Sequence, residues 1–109
     1  MNERQTDLSL NQILDFLNNG GSSYPSCLLL NELGIICLNE QDEDEAGEKY
    51  LLSLLDHEKN QKRAIAFCCL ARVPEIKEKH SAMLDEFRTR PENEILLPFI
   101  DESLARCQD

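Results

Sequence analysis

The side chains with the most chemistry to offer are five cysteines, Cys27, Cys37, Cys68, Cys69 and Cys107, and two histidines, His57 and His80. A zinc site built from such residues needs ligands paired at short spacing, as in two C-x-x-C units. No such pairs occur, and the adjacent Cys68 and Cys69 diverge by about 100° on a helix, a poor geometry for chelation. His57 stands between Asp56 and Glu58 in a polar stretch with no second His or Cys at ligand spacing, so it reads as a solvated turn residue. His80 falls four residues after Ile76 and just ahead of Met83, Leu84 and Phe87, on an apolar stripe. It reads as a half-buried histidine bonded to a carbonyl or carboxylate. Cysteine–histidine catalysis would need Cys68 or Cys69 beside His80 with an orienting carboxylate. Both thiols lie in an apolar run, where burial raises a thiol's pKa and keeps it inert. No catalytic residue, metal ligand or cofactor is expected; a small enzyme with a Cys–His site stands as an alternative.

Charge narrows the classes further. Residues 1–58 hold two basic side chains, Arg4 and Lys49, against twelve acidic ones, a balance of −10. Residues 59–109 hold nine of each sign, so the whole chain is also −10. Nucleic-acid binding displaces counterions from phosphates and needs cations on one face. The stretch from Lys59 to Arg90 carries eight basic and four acidic residues, a mild excess without a stripe. Nucleic acid is a disfavoured partner, kept as an alternative through that stretch. The acidic run from Asp42 to Glu45 lacks the 12-residue loop of a calcium hand and reads as the solvated start of a helix. The odd cysteine count, with four of the five in apolar runs, points to reduced, buried thiols in a cytoplasmic protein. The polar opening residues carry no signal segment, and the longest apolar run, residues 64–71, is far too short for a membrane span.

These residues must be positioned by helices. Leu10, Ile13, Leu14 and Leu17 recur at helical spacing behind a cap at Thr6-Asp7, and Gly20-Gly21 ends that helix. Pro25 opens a second, apolar almost all round, interrupted by Asn31 and Glu32; a strand over residues 27–38 is the competing local reading. A third runs from about 46 to 55 with Leu51, Leu54 and Leu55 inward. A fourth, 60–73, is again apolar all round over residues 64–71. Pro74 begins a fifth, with Ile76, Met83, Leu84 and Phe87 as its stripe. A sixth follows Pro91, with Ile95, Leu96, Leu97, Phe99, Ile100 and Leu104 on a broad apolar face and a kink or break expected near Pro98.

Amphipathic and apolar helices thus alternate three times. Leu17, Leu55 and Phe87 are spaced by 38 and 32, and Leu33, Leu70 and Leu104 by 37 and 34. Two-helix units at such a period mark an α-solenoid. The segment LLSLLDHEKNQKRAIAFCCLARV, with Leu54-Leu55, Asp56, Arg63, Ala66 and Leu70, resembles a unit of the HEAT-repeat family. The segment around Leu33-Gly34 is similar in outline; the third unit lacks the turn Asp and opening Arg. The expected fold is therefore all-α: one domain over residues 1–109, three antiparallel helical hairpins (about 6–38, 43–73 and 74–107) stacked as a short HEAT-like α-solenoid. A compact six-helix bundle is the alternative. The resemblance implies a non-catalytic protein-interaction module rather than a reaction. It places the second helices of the units on the binding face, with Glu32, Arg63 and Asp101 as exposed positions and Asn31 and Lys62 nearby. Phe99, on the wide face of helix six, marks a second surface, where helices five and six could form a homodimer or meet another protein.

Overall fold

The first helix, α1 (Leu10–Asn19), starts at Ser9. The Ser9 hydroxyl accepts the Gln12 N–H and the Gln12 side chain accepts the Ser9 N–H, so two orphan donors are satisfied reciprocally. The cap expected at Thr6-Asp7 is therefore displaced to Ser9, because Thr6 is engaged on Glu32 instead. Gly20 closes α1 with φ of 77°, a left-handed conformation open to glycine without a Cβ penalty. These features belong to a computed structural model that describes residues 3–107.

Helix α2 (Ser26–Leu38) takes up the segment that could have been a strand, because thirteen mostly apolar residues can be buried on all sides as a helix. The acidic run does open α3 (Ala46–Ser53), but one residue does the capping: Asp42 accepts the Gly47 N–H at 2.7 Å and the Glu48 N–H at 2.9 Å. The residues between make a short 3₁₀ turn, with Asp44 and Glu45 both in the left-handed region. A second 3₁₀ turn, Leu54–Asp56, ends α3, and α4 (Asn60–Arg72) follows.

The single fifth helix expected from Pro74 is in fact two, α5 (Pro74–Lys79) and α6 (Ser81–Thr89), broken at His80 with φ −115° and ψ 27°. The break coincides with the His80 ring turning to the carboxylate of Glu48 on α3. The sixth begins as a 3₁₀ stretch, Pro91–Leu96, and continues as α7 (Leu97–Cys107). Pro98 falls in the first turn of α7, where its missing N–H costs nothing. The expected interruption is a change of helix type just ahead of it.

All elements among the described residues are helical. Helix α4 lies between α2 on one side and α7 on the other, α1 packs on α2, and α3 packs on both α2 and α4. Ile13, Leu30, Leu33, Leu51, Leu70, Phe87 and Ile100 are fully buried in this core, and the rings of Phe67 and Phe87 stack with centroids 4.7 Å apart. The inward reading of Leu51, Leu54, Leu55, Ile76, Leu84 and Phe87 holds, whereas Met83 is 42% exposed. No helix among the described residues is long and apolar enough to cross a membrane.

The seam between α2 and α4 depends on Gly34. A Cβ there would stand 2.9 Å from Cys69 Sγ, 3.0 Å from Cys69 Cβ and 2.8 Å from a terminal nitrogen of Arg72. Replacing a helical glycine by alanine normally gains about 1 kcal/mol. Overpacking of this kind costs about 1–3 kcal/mol, so Gly34→Ala is expected to lose about 1 kcal/mol net. Urea unfolding of Gly34→Ala, Cys69→Ala and the double variant checks this: the double variant should recover part of the loss, and strict additivity would count against the clash.

Candidate functional site

Four groupings of polar or reactive side chains emerge. In the first, Glu32 is entirely buried on α2. Its Oε1 accepts the Arg4 Nε–H at 2.9 Å, the Thr6 N–H at 3.0 Å and the Thr6 hydroxyl at 2.5 Å, while Oε2 accepts the Gln5 N–H at 3.2 Å. Burial raises this carboxyl's pKa, but the bonds from Thr6, Arg4 and Gln5 and the guanidinium charge outweigh it and hold the group below its ordinary value.

In the second, Arg63 near the start of α4 is 6% exposed. Its guanidinium donates to the carbonyls of His57 (2.8 Å), Glu58 (3.2 Å) and Glu92 (3.4 Å) and to the side-chain oxygens of Asn60 (2.5 Å) and Asn93 (2.9 Å). Asn93, fully buried, passes the network on by donating to the Phe87 carbonyl at 3.0 Å. The turn before α4 is thereby fastened to the turn after α6.

The third is an acidic hollow of about 390 Å³ lined by Cys37, Glu40, Asp42, Glu45, Glu48 and Glu75, among others. The Cys37 thiol donates to Asp42 at 3.5 Å. Burial first, then the Asp42 charge, pushes that thiol's pKa far up, which disfavours the thiolate form. Lys79 Nζ reaches Glu45 at 3.2 Å and Glu48 at 3.1 Å, and His80 Nε2 lies 3.2 Å from Glu48. His80 is thus the half-buried, carboxylate-bonded residue expected. His57 is the expected turn residue, its Nδ1 accepting the Lys59 N–H.

The fourth is an open groove along α2, α4 and α7, a cavity of about 240 Å³ bordered by Cys27, Asn31, Ile65, Cys68, Phe99 and Ser103. Phe99 is 54% exposed there and Cys27 is exposed as well, which corrects the expectation of a buried thiol at that position. No disulfide joins the described cysteines Cys27, Cys37, Cys68 and Cys69; the thiol of Cys107 lies outside the described residues.

The chain matches no protein-family model, no curated protein and no solved structure.

The candidate binding residues fall in different surroundings. Two of them are corrected: Glu32 and Arg63 are buried rather than exposed, each turned inward by several hydrogen-bond partners. Asn31 and Lys62 are half-buried, Asp101 is exposed, and Asn31 and Phe99 border the same groove. Asp101 faces a neighbouring cleft between α6 and α7 and pairs with Arg88 at 3.0 Å. The stretch from Lys59 to Arg90 also changes meaning. Arg63 is buried, Lys79 and Arg88 are paired, and Arg90 is held by Asp56 at 2.5 Å and Glu86 at 3.2 Å. Fewer cations are left to meet phosphates.

Arg4, Asp42 and Asn93 were missed from sequence. Arg4 carried a signal, as one of only two cations in residues 1–58. Asp42 leads the acidic run five residues ahead of Gly47, where a helix cap can be sought. Asn93 had none beyond standing two residues after Pro91.

Proposed function

We propose that this chain is a non-catalytic protein-interaction module, a short HEAT-like stack that binds another protein through the groove along α2, α4 and α7. The observation that carries the reading is Phe99. A large aromatic more than half exposed beside Ile65, Cys27 and Cys68 gives an apolar anchor point in a concavity, the arrangement that concentrates binding energy in protein interfaces. The side-by-side order of α2, α4 and α7, the second helices of the three expected hairpins, supports the repeat reading. The burial of the Cys37 thiol, which disfavours its thiolate, supports the non-catalytic reading too.

Phe99→Glu tests the reading. The substitution puts a charge at the rim of the groove, where unfolding is not expected, since surface changes usually alter stability by less than about 0.5 kcal/mol. Proteins retained on immobilised wild-type chain from a cell extract should be lost on Phe99→Glu at unchanged helicity. Identical retention by both would reject the groove. Sedimentation velocity on the two proteins separates a second copy of this chain, meeting through α6 and α7, from a different partner: a homodimer would show a concentration-dependent coefficient that Phe99→Glu abolishes.

A further inference from the structure

The residues ahead of α1 are held in a way that looks like ligand recognition. Residues 3–8 form no helix or strand of their own, yet they cover a carboxylate with no exposure at the middle of the most apolar helix. The four donors on Glu32 come from Arg4, Gln5 and Thr6: a guanidinium, two backbone N–H groups and a hydroxyl. Arg4 also donates to the Leu8 carbonyl at 2.5 Å, which fixes the bend of the segment around its own cation. Main-chain bonds combined with side-chain selection are how protein surfaces hold extended peptides. A buried charge pair adds little net stability over an apolar residue of similar size, although breaking it from one side is costly. A carboxylate is a good choice for selecting a cation. When the segment leaves, the donors go with it and the carboxylate meets water, so opening does not strand a dry charge. Residues 1–58 carry twelve acidic and two basic side chains, and Arg4 is one of the two. That half therefore attracts cationic chains from a distance.

We propose that the face of α2 around the Glu32 carboxylate is a binding site for an extended, arginine-bearing segment of a partner protein, with a hydroxyl residue two positions after the arginine. Residues 4–6 occupy that carboxylate in the free protein as an intramolecular stand-in. This surface is distinct from the Phe99 groove. It rests on the interaction-module reading only for the kind of partner, and Phe99→Glu leaves it untouched.

The test uses the full chain with Arg4→Ala and Thr6→Ala together, which loosens the stand-in, and a fluorescent synthetic peptide of residues 3–9, ERQTDLS. By anisotropy, the peptide should bind the double variant at least about tenfold more tightly than wild type, the scale set by losing charge-assisted bonds of the competing segment. Adding Glu32→Gln should abolish that binding, and a peptide with alanine in place of its arginine should fail. Equal binding to all three proteins, indifference to Glu32→Gln, or binding only alongside dimerisation of the chain would overturn the proposal. Should the double variant not fold, Thr6→Ala alone takes its place: it removes one of the four bonds to Glu32 and should still bind the peptide more tightly than wild type, and no gain would overturn the proposal equally.

Discussion

Arg63→Ala is expected to lower the unfolding free energy by about 3–5 kcal/mol, the cost of breaking a buried, hydrogen-bonded charge network from one side. The guanidinium is the common donor to three carbonyls and two side-chain amides drawn from both sides of the α4 start and from the turn after α6. Removing it leaves Asn93 Oδ1 without that donor at a position with no solvent exposure. It also unties the turn at residues 57–60 from the turn at residues 92–93. Natural domains are stable by about 5–15 kcal/mol, so a loss of this size consumes a large part of the total. Arg63→Lys should recover little, because a compact ammonium cannot reach a forked set of acceptors. Arg63→Met restores the apolar stem alone and separates packing from hydrogen bonding. Urea denaturation followed by circular dichroism gives the three values. If Arg63→Met matches wild type, the network contributes nothing net and the stem is what matters. If Arg63→Ala itself costs less than about 1 kcal/mol, the level of surface changes, the turns are held by other contacts.

Arg63 also shows where sequence reading stopped. Its type and place at the opening of α4 were legible, since the HEAT-like pattern Leu54-Leu55, Asp56, Arg63 drew attention to it. Its direction was not, because three of its five acceptors are backbone carbonyls, which every residue has and no sequence advertises. Asn93 lies 30 residues away and has no periodic signal. Glu32 was legible as an anomaly: a charge in an apolar helix must find solvent or a partner. An exposed position is the expectation from sequence; the structure gives a partner 28 residues earlier in the chain. The helices themselves followed from the 3.6-residue stripe, because that signal is local and repeated. The break at His80 escaped, since Ile76, Leu84 and Phe87 keep helical phase across it while the side chain that marks the break bonds to Glu48, 32 residues away. The exposed Phe99 was legible in outline, because the face from Ile95 to Leu104 holds more apolar side chains than one neighbour can cover. Ile100 and Leu96 are buried, and Ile95 and Phe99 are the surplus.

Leu33→Ala and Leu70→Ala are each expected to cost about 2–5 kcal/mol, the range for truncating a fully buried leucine. Both residues are at 0% exposure. Leu33 sits on α2 with a methyl 3.3 Å from the position a Cβ on Gly47 would take, so α3 closes over it at short range. Leu70 lies on α4, the helix flanked by both α2 and α7. Neither cavity can collapse by moving one helix, because each helix concerned is pinned by others: α4 by the Arg63 network, α2 by the close contact of Gly34 with Cys69. The losses should therefore fall toward the upper part of the range, where cavities persist. For a domain of this size they correspond to a fall in melting temperature on the order of 10–25 °C. Met83→Ala is the control. Its side chain belongs to an apolar stripe in the sequence, but it is 42% exposed, so its loss should stay at about 0.5 kcal/mol. Thermal and urea unfolding of the three variants decides between a core centred on the α2–α4 contact and one spread evenly through the chain. Losses at Leu33 and Leu70 no larger than at Met83 would place the centre elsewhere. The double variant Leu33→Ala/Leu70→Ala adds a further check. Both leucines line one cluster, so their cavities should merge or share relaxation, and the combined loss should depart from the sum.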